Sequence, residues 1–143
     1  MERPVRSIIE DQKPVTASAE ITVASAARLM REHRIGALLV IQEGRLAGIF
    51  TERDALFRVI AEGRDPDNTR VAEVMTANPR TIAPDRPFGH ALHMMYEGGF
   101  RHVPVVDDGR PLGVVSSRDA LGPDLQQFIA ELDKRIHIGE ILG

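Results

Sequence analysis

The chain has 143 residues, of which 43% are hydrophobic and 27% are charged, and its formal net charge is −3. This length suits one compact domain or two small units that share an interface, and the acidic balance argues against a surface built for duplex nucleic acid. The chain has no cysteine, which excludes disulfides, thiolate metal sites and cysteine nucleophiles. We see no signal peptide and no apolar run of the roughly 20 residues that span a membrane, so we expect a soluble cytoplasmic protein.

The first half of the chain predicts a helix followed by a hairpin. Apolar residues recur at helical spacing over 23–30. The continuous apolar run 37–41 is typical of a strand buried on both faces. A polar turn at 42–45 and a short apolar stretch at 47–50 then predict a second strand, after which a helix is expected to begin at Thr51.

The second half of the chain predicts the same order of elements. The polar, turn-rich stretch 64–70 is expected to be a linker. It is followed by a helical pattern over 88–95, an apolar run at 103–106 and a turn at 107–110. A further strand and a helix beginning at Ser116 complete the pattern.

The two halves align without a gap at an offset of 65 residues, the spacing between Gly48 and Gly113. Identities at this offset include Gly44 with Gly109 and Asp54 with Asp119, which indicates an internal repeat. Each unit predicts an α+β fold with a very small sheet, one face of which is left uncovered within the unit. We therefore expect the two sheets to pack against each other with pseudo-twofold symmetry and to leave two related clefts.

The C-terminal part predicts one more helix after the stop at Gly122-Pro123. Its apolar face comprises Leu125, Phe128, Ile129, Leu132 and Ile136. Such a face is typical of a core or dimer contact, and recognition of a partner protein is the alternative.

Two segments of the chain resemble the signature that closes a CBS domain, Gly-h-h-Thr/Ser-x-x-Asp, where h is apolar. They are residues 48–54 and 113–119, and 101–107 resembles the strand that precedes the signature. Residues 71–75 resemble the segment that opens such a domain. The resemblance covers roughly residues 5 to 122 and implies two CBS repeats with small three-stranded sheets. We assign repeat 1 to 1–63, the linker to 64–70, repeat 2 to 71–122 and a helical tail to 123–143.

The resemblance implies a regulatory module rather than an enzyme. Members of this family commonly bind AMP, ADP, ATP, S-adenosylmethionine or related adenosyl compounds between the repeats. We therefore expect such a regulatory ligand, no obligatory cofactor, no metal, a homodimer and a regulated protein of unknown identity. Neither a membrane nor a nucleic acid is expected as a partner. The alternative is a structural interaction module whose clefts bind nothing.

The resemblance also implies which residues form the two sites, each of which draws on both repeats. The first site would combine Thr16, Ile35, Gly36, His102, Ser116 and Asp119. The second would combine Ala37, Thr51, Asp54, Thr81, Phe100 and Arg101. We favour the first, because residues 101–104 carry charge whereas the matching stretch 36–39 does not.

The chemistry of the Thr/Ser-x-x-Asp motif allows two interpretations. A carboxylate at a helix start, as at Asp54 and Asp119, can accept hydrogen bonds from both ribose hydroxyls. The hydroxyls of Thr51 and Ser116 add a donor and an acceptor, and the helix start itself favours phosphate. The same spacing also resembles a capping box, which would merely begin a helix.

Four further features receive structural rather than functional interpretations. We expect the histidines His33, His90, His93 and His137 to face solvent, although the spacing of His90 and His93 could suit a metal. Residues 94–95 should fill the core, 98–99 should end a helix, and 107–108 should form a turn.

Overall fold

The structure is a computed structural model that describes residues 2–122, 128, 130–132 and 134–135. The helices are Val5–Ile9 (α1), Val23–His33 (α2), Glu52–Asp54 (α3), Val71–Val74 (α4) and Phe88–Gly98 (α5). Helix α3 continues as a π-helix over Ala55–Ile60, and a 3-10 turn spans Ser117–Ala120. The strands are Thr16–Ser18 (β1), Ala37–Gln42 (β2), Arg45–Thr51 (β3), Thr76–Ala77 (β4), His102–Asp107 (β5) and Arg110–Ser116 (β6). This composition confirms the predicted α+β class.

The two sheets are not equal in size, which differs from the predicted pair of three-stranded sheets. The first sheet has the order β1-β2-β3-β4, with β1 parallel to β2 and the other pairs antiparallel. The second sheet contains only the antiparallel pair β5 and β6. The first sheet gains β4 from the second half of the chain. The second sheet lacks a full third strand because Ile82 forms a single isolated bridge with Val105.

Both predicted hairpin turns are present and share one backbone conformation. Glu43 and Gly44 have φ values of 53° and 76°, and Asp108 and Gly109 have values of 50° and 78°. Two successive residues with positive φ match the right-handed twist of the flanking strands, which is why this turn joins two-residue hairpins. Glycine takes the second position of each turn at little steric cost.

Each half of the chain contributes its first helix to the hydrophobic core of the other half. The core over the first sheet, built on α2, β2 and β3, includes Val71 and Val74 from α4. The core over the second sheet, built on α5, β5 and β6, includes Val5 and Ile9 from α1. Full burial of a valine side chain stabilises a fold by about 1.5 kcal/mol or more. Each half therefore depends on the other for part of its core.

A third, smaller cluster joins the two sheets. Ala37, Leu39 and Ile49 are buried on the opposite face of the first sheet, where Val114 of β6 packs against them. The main-chain N–H of Leu46 also donates to the carbonyl of Gly109 across the two halves, at 3.0 Å. This seam between the sheets positions the two clefts that flank it.

The structural interpretations of the peripheral residues are confirmed wherever the structure describes them. Met94 and Met95 are buried, and Gly99 ends α5 with a φ of 72°. His33, His90 and His93 are exposed. His137 lies outside the described residues.

The predicted apolar face of the tail is described only in part. Phe128 and Leu132 are helical and exposed, whereas Leu125, Ile129 and Ile136 lie outside the described residues. In the described part of the chain, no helix has both the length and the apolar character needed to cross a lipid bilayer.

Candidate ligand-binding clefts

Two cavities flank the seam between the sheets. The first has a volume of about 1240 Å³ and the second about 800 Å³. Sites that hold small ligands commonly have volumes of about 300–1,000 Å³. The second cavity lies within this range, and the first exceeds it. Glu52 and His102 line both cavities, so the two clefts share a wall.

The structure brings most of the predicted site residues to these cavities. The first cavity is lined by five of the six residues predicted for it, namely Ile35, Gly36, His102, Ser116 and Asp119. The second is lined by four of its six, namely Thr51, Asp54, Phe100 and Arg101. Each cavity thus draws on both repeats.

Three predicted residues are placed differently. Ala37, the first residue of β2, lines the first cavity rather than the second, because it continues the segment of Ile35 and Gly36. Thr16 and Thr81 are both described by the structure and line neither of the two cavities. Thr16 already pairs with Leu39 inside the first sheet, so the segment just before it, 12–15, faces the cavity instead.

The Thr/Ser-x-x-Asp motifs form hydrogen-bonded caps in both repeats. The Oδ2 atom of Asp54 accepts from the main-chain N–H of Thr51 at 2.9 Å and from its hydroxyl at 3.1 Å. The Thr51 hydroxyl accepts in turn from the N–H of Asp54 at 3.2 Å. In the second repeat, Oδ2 of Asp119 accepts from the N–H of Ser116 at 2.8 Å. The capping interpretation therefore describes the structure, and in each motif the cap uses one carboxylate oxygen.

The second carboxylate oxygen distinguishes the two motifs. Oδ1 of Asp54 lies 3.4 Å from Nε of Arg58, one helical turn later, and Asp54 is buried. No hydrogen bond or ion pair from the described residues reaches Oδ1 of Asp119. Asp119 is also partly exposed. Of the two carboxylates, Asp119 is the one whose second oxygen has no partner among the described residues.

The charge around the clefts also differs. The first cavity is lined by five basic side chains, Arg3, Lys13, Arg31, Arg34 and Arg118, and by the carboxylates of Glu52 and Asp119. The second is lined by three basic side chains, Arg53, Arg80 and Arg101, and by the carboxylates of Glu52 and Asp54. The first cleft therefore has the larger excess of positive charge.

His102 lies where the two cavities meet. Burial holds the pKa of its imidazole below the ordinary value of 6.5, and the neighbouring charges act in both directions. Glu52 and Asp119 raise this pKa, whereas Arg101 and Arg53 lower it further. The side chain is therefore neutral at pH 7 and can both donate and accept a hydrogen bond.

Sequence reasoning missed the N-terminal contribution to the first cleft. Nη2 of Arg3 donates to the carbonyl of Asp119 at 2.6 Å. Gln12 forms two hydrogen bonds with the main chain of Val114. The repeat alignment pairs Gln12 with Ala77, which has no polar side chain, so the repeat carried no signal for this contact. Within the described residues, no three His, Cys, Asp or Glu side chains form a metal site.

Comparison with known proteins places both halves of the chain in one family. The sequence profile of the CBS domain matches residues 5–61 and 71–122. The chain is similar to the CBS domain-containing protein CBSCBSPB1 of Arabidopsis thaliana, with 43% identity over 118 residues that cover 80% of this chain and 22% of that protein. The match to this chain covers only 22% and 57% of the lengths of the first two curated relatives.

Solved structures share the fold over nearly the whole chain. The CBS domain pair of protein MJ0100, solved in complex with 5-methylthioadenosine and S-adenosyl-L-methionine, is similar with a TM-score of 0.75 and 29% identity, and the match covers 92% of this chain and 98% of that one. The hexameric CBS-CP12 protein from bloom-forming cyanobacteria gives a TM-score of 0.78 and 29% identity, covering 86% of this chain and 68% of that one. The predicted tandem of two CBS repeats is thereby confirmed.

Proposed function

Because the chain belongs to the CBS domain family, we propose that it is a regulatory module, not an enzyme, and that it binds an adenine nucleotide in the first cleft. The ligand would contact both repeats, so its binding would be coupled to their relative packing. That coupling is limited to the difference in ligand affinity between the two arrangements. The two adenosyl compounds bound by the related MJ0100 domain pair support the class of ligand.

Asp119 is the observation that carries this proposal. Asp119 lines the first cavity. Its Oδ2 atom holds Ser116 in place, while its Oδ1 atom has no hydrogen bond from the described residues. A carboxylate fixed in this way can accept both hydroxyls of a ribose through charge-assisted hydrogen bonds. The corresponding oxygen of Asp54 is next to Arg58, which disfavours the second cleft.

The basic side chains around the first cleft support a phosphorylated ligand. Phosphate groups carry negative charge, and the five basic residues at this cavity outnumber its two carboxylates. S-adenosylmethionine has a sulfonium, an ammonium and a carboxylate group at pH 7, so its net charge is positive and it gains less than a phosphate from such surroundings. We therefore expect AMP, ADP or ATP to bind more tightly than S-adenosylmethionine.

Isothermal titration calorimetry with AMP tests the proposal. We expect saturable binding that is about 10- to 100-fold weaker in Asp119→Asn, because hydrogen bonds to a charged group contribute about 1.5–3 kcal/mol. The amide can still accept from the N–H of Ser116, so the cap is kept. Asp54→Asn is the matched control and should bind AMP as the wild type does. If AMP and ATP bind to neither the wild type nor the control, the wild-type chain does not bind a nucleotide and the interaction module is the better description.

We also propose that the chain forms a homodimer through the π-helix that follows α3. Leu56, Phe57 and Ile60 on this segment are 50%, 57% and 70% exposed, and grouped apolar side chains at a surface mark association sites. The hexameric CBS-CP12 protein shows that a related fold assembles. In sedimentation velocity, we expect the wild type and Tyr96→Glu to be dimers and Ile60→Glu to be a monomer. A monomeric wild type would contradict this assignment.

A further inference from the structure

The free edge of β6 carries an unusual pair of hydrogen bonds. The carboxamide Nε2 of Gln12 donates to the carbonyl of Val114 at 2.9 Å, and the N–H of Val114 donates to Oε1 of Gln12 at 3.0 Å. Both residues line the first cavity. Gln12 is exposed and lies outside any helix or strand, so its side chain can rotate while the backbone stays in place.

The equivalent edge in the other repeat is covered by main chain instead. Ile49, which corresponds to Val114, pairs with Thr76 of β4, and Gly48 pairs with Ala77. The N–H of Asn78 adds a bond to the carbonyl of Ala47 at 3.1 Å. A strand pairing of this kind cannot open without moving backbone. The edge at Val114 can open through a single side chain, so the first cleft can offer the edge of β6 to a ligand without a movement of the backbone.

Resting on the proposed function, we propose that the main chain of Val114 is the subsite for the purine base and that Gln12 occupies it in competition with the ligand. A carboxamide presents one donor beside one acceptor, and it uses both on Val114. The 6-amino group of adenine and the adjacent ring nitrogen present the same pair. A base bound here would replace the two hydrogen bonds from Gln12 to Val114 with two of its own, and the side chain of Gln12 would rotate away.

This competition determines how substitutions at Gln12 act on affinity. Removing the carboxamide leaves the edge of β6 accessible to the base without a side chain to displace. The net contribution of a neutral hydrogen bond is modest, so we expect Gln12→Ala to bind AMP about 3- to 10-fold more tightly than the wild type. AMP methylated twice at N6 has lost the amino donor, and we expect it to bind less tightly than AMP to both proteins.

The test is calorimetric titration of AMP and of N6,N6-dimethyl-AMP into the wild type, Gln12→Ala and Gln42→Ala. Gln42 is an exposed glutamine at the end of β2 that lines neither cavity, so its substitution should leave affinity unchanged. Thermal unfolding of all three proteins checks that the fold is intact. Tighter AMP binding in Gln12→Ala alone, together with weaker binding of the dimethylated nucleotide, supports the subsite.

The outcomes separate this inference from the proposed function. If the wild type binds AMP and Gln12→Ala binds it equally or more weakly, Gln12 does not compete and the subsite is wrong while the nucleotide site stands. Binding seen only in Gln12→Ala supports both the site and the competition. If neither protein binds AMP, the inference and the proposed nucleotide site both fail.

Discussion

At the scale of single residues, His102 is the group among the described residues whose ionisation the fold most clearly disfavours. Burial is the largest influence on its pKa, which lies below 6.5. The unfolded chain, with an ordinary pKa, takes up a proton before the folded chain does as the pH falls. The stability that comes from the neutral imidazole is therefore complete above about pH 6.5 and is lost as the pH falls through the folded-state pKa.

This difference predicts the pH dependence of stability. Between about pH 7 and pH 5, the free energy of unfolding of the wild type should fall more steeply than that of His102→Gln, which cannot titrate in this range. Urea denaturation of the two proteins across the range measures the difference and cancels the contribution of the carboxylates. Parallel profiles would show that His102 ionises equally easily in the folded and unfolded chain.

The sequence was informative about residues that lie within the repeated motif. Asp119, Ser116 and Thr51 are placed at cavities as predicted because their positions follow from one signature and its cap. The ion pair of Asp54 and Arg58 has the i, i+4 spacing of a helix, although the sequence alone did not indicate that it would occupy Asp54. Gln12 could not be found, because its contact depends on a tertiary arrangement of α1 against β6.

At the scale of elements, the repeated glycines Gly48 and Gly113 mark where a strand is approached closely by a segment of the other half. A Cβ atom on Gly48 would lie 2.6 Å from Sδ of Met75 and 2.9 Å from the carbonyl oxygen of Thr76. On Gly113 it would lie 2.8 Å from Oε1 of Gln12 and 3.0 Å from Cβ of Ile9. Because Gly48 and Gly113 have no side chain, the segments of the other half can pack closely against β3 and β6.

We expect Gly48→Ala to lower the free energy of unfolding by about 1–3 kcal/mol, the usual cost of overpacking. The side chain of Met75 can move, but the carbonyl of Thr76 is held in the pairing of β4 with β3. Gly122→Ala is the control, since nothing lies within 4 Å of its added Cβ, and it should unfold like the wild type. Equal urea midpoints for the two variants would mean that β4 is not packed tightly on β3.

The elements themselves were largely predictable, whereas the strand count was not. Helical spacing over 23–30 and 88–95 and the apolar runs that follow placed α2, α5, β2 and β5. The strand β4 has only two residues, both exposed, so no hydrophobic pattern marks it. Its pairing is decided by the other half of the chain, which a local pattern cannot indicate.

At the scale of the whole molecule, the exchange of α1 and α4 makes the two repeats one unit. Val5 of α1 and Val71 of α4 are fully buried, each in the core of the opposite repeat. Repeat boundaries drawn along the sequence therefore do not coincide with packing units. A ligand between the repeats would act on a structure in which neither half is independent, which would be the physical basis of the proposed regulatory role.

A crystal structure of the chain grown with AMP would test the proposed nucleotide site at atomic detail. We predict one nucleotide in the first cleft, with its ribose hydroxyls on Oδ1 of Asp119, its phosphate among the basic side chains and its base on the main chain of Val114. A nucleotide bound only beside Asp54, or a first cleft that is empty at saturating AMP, would show that the first cleft is not the nucleotide site.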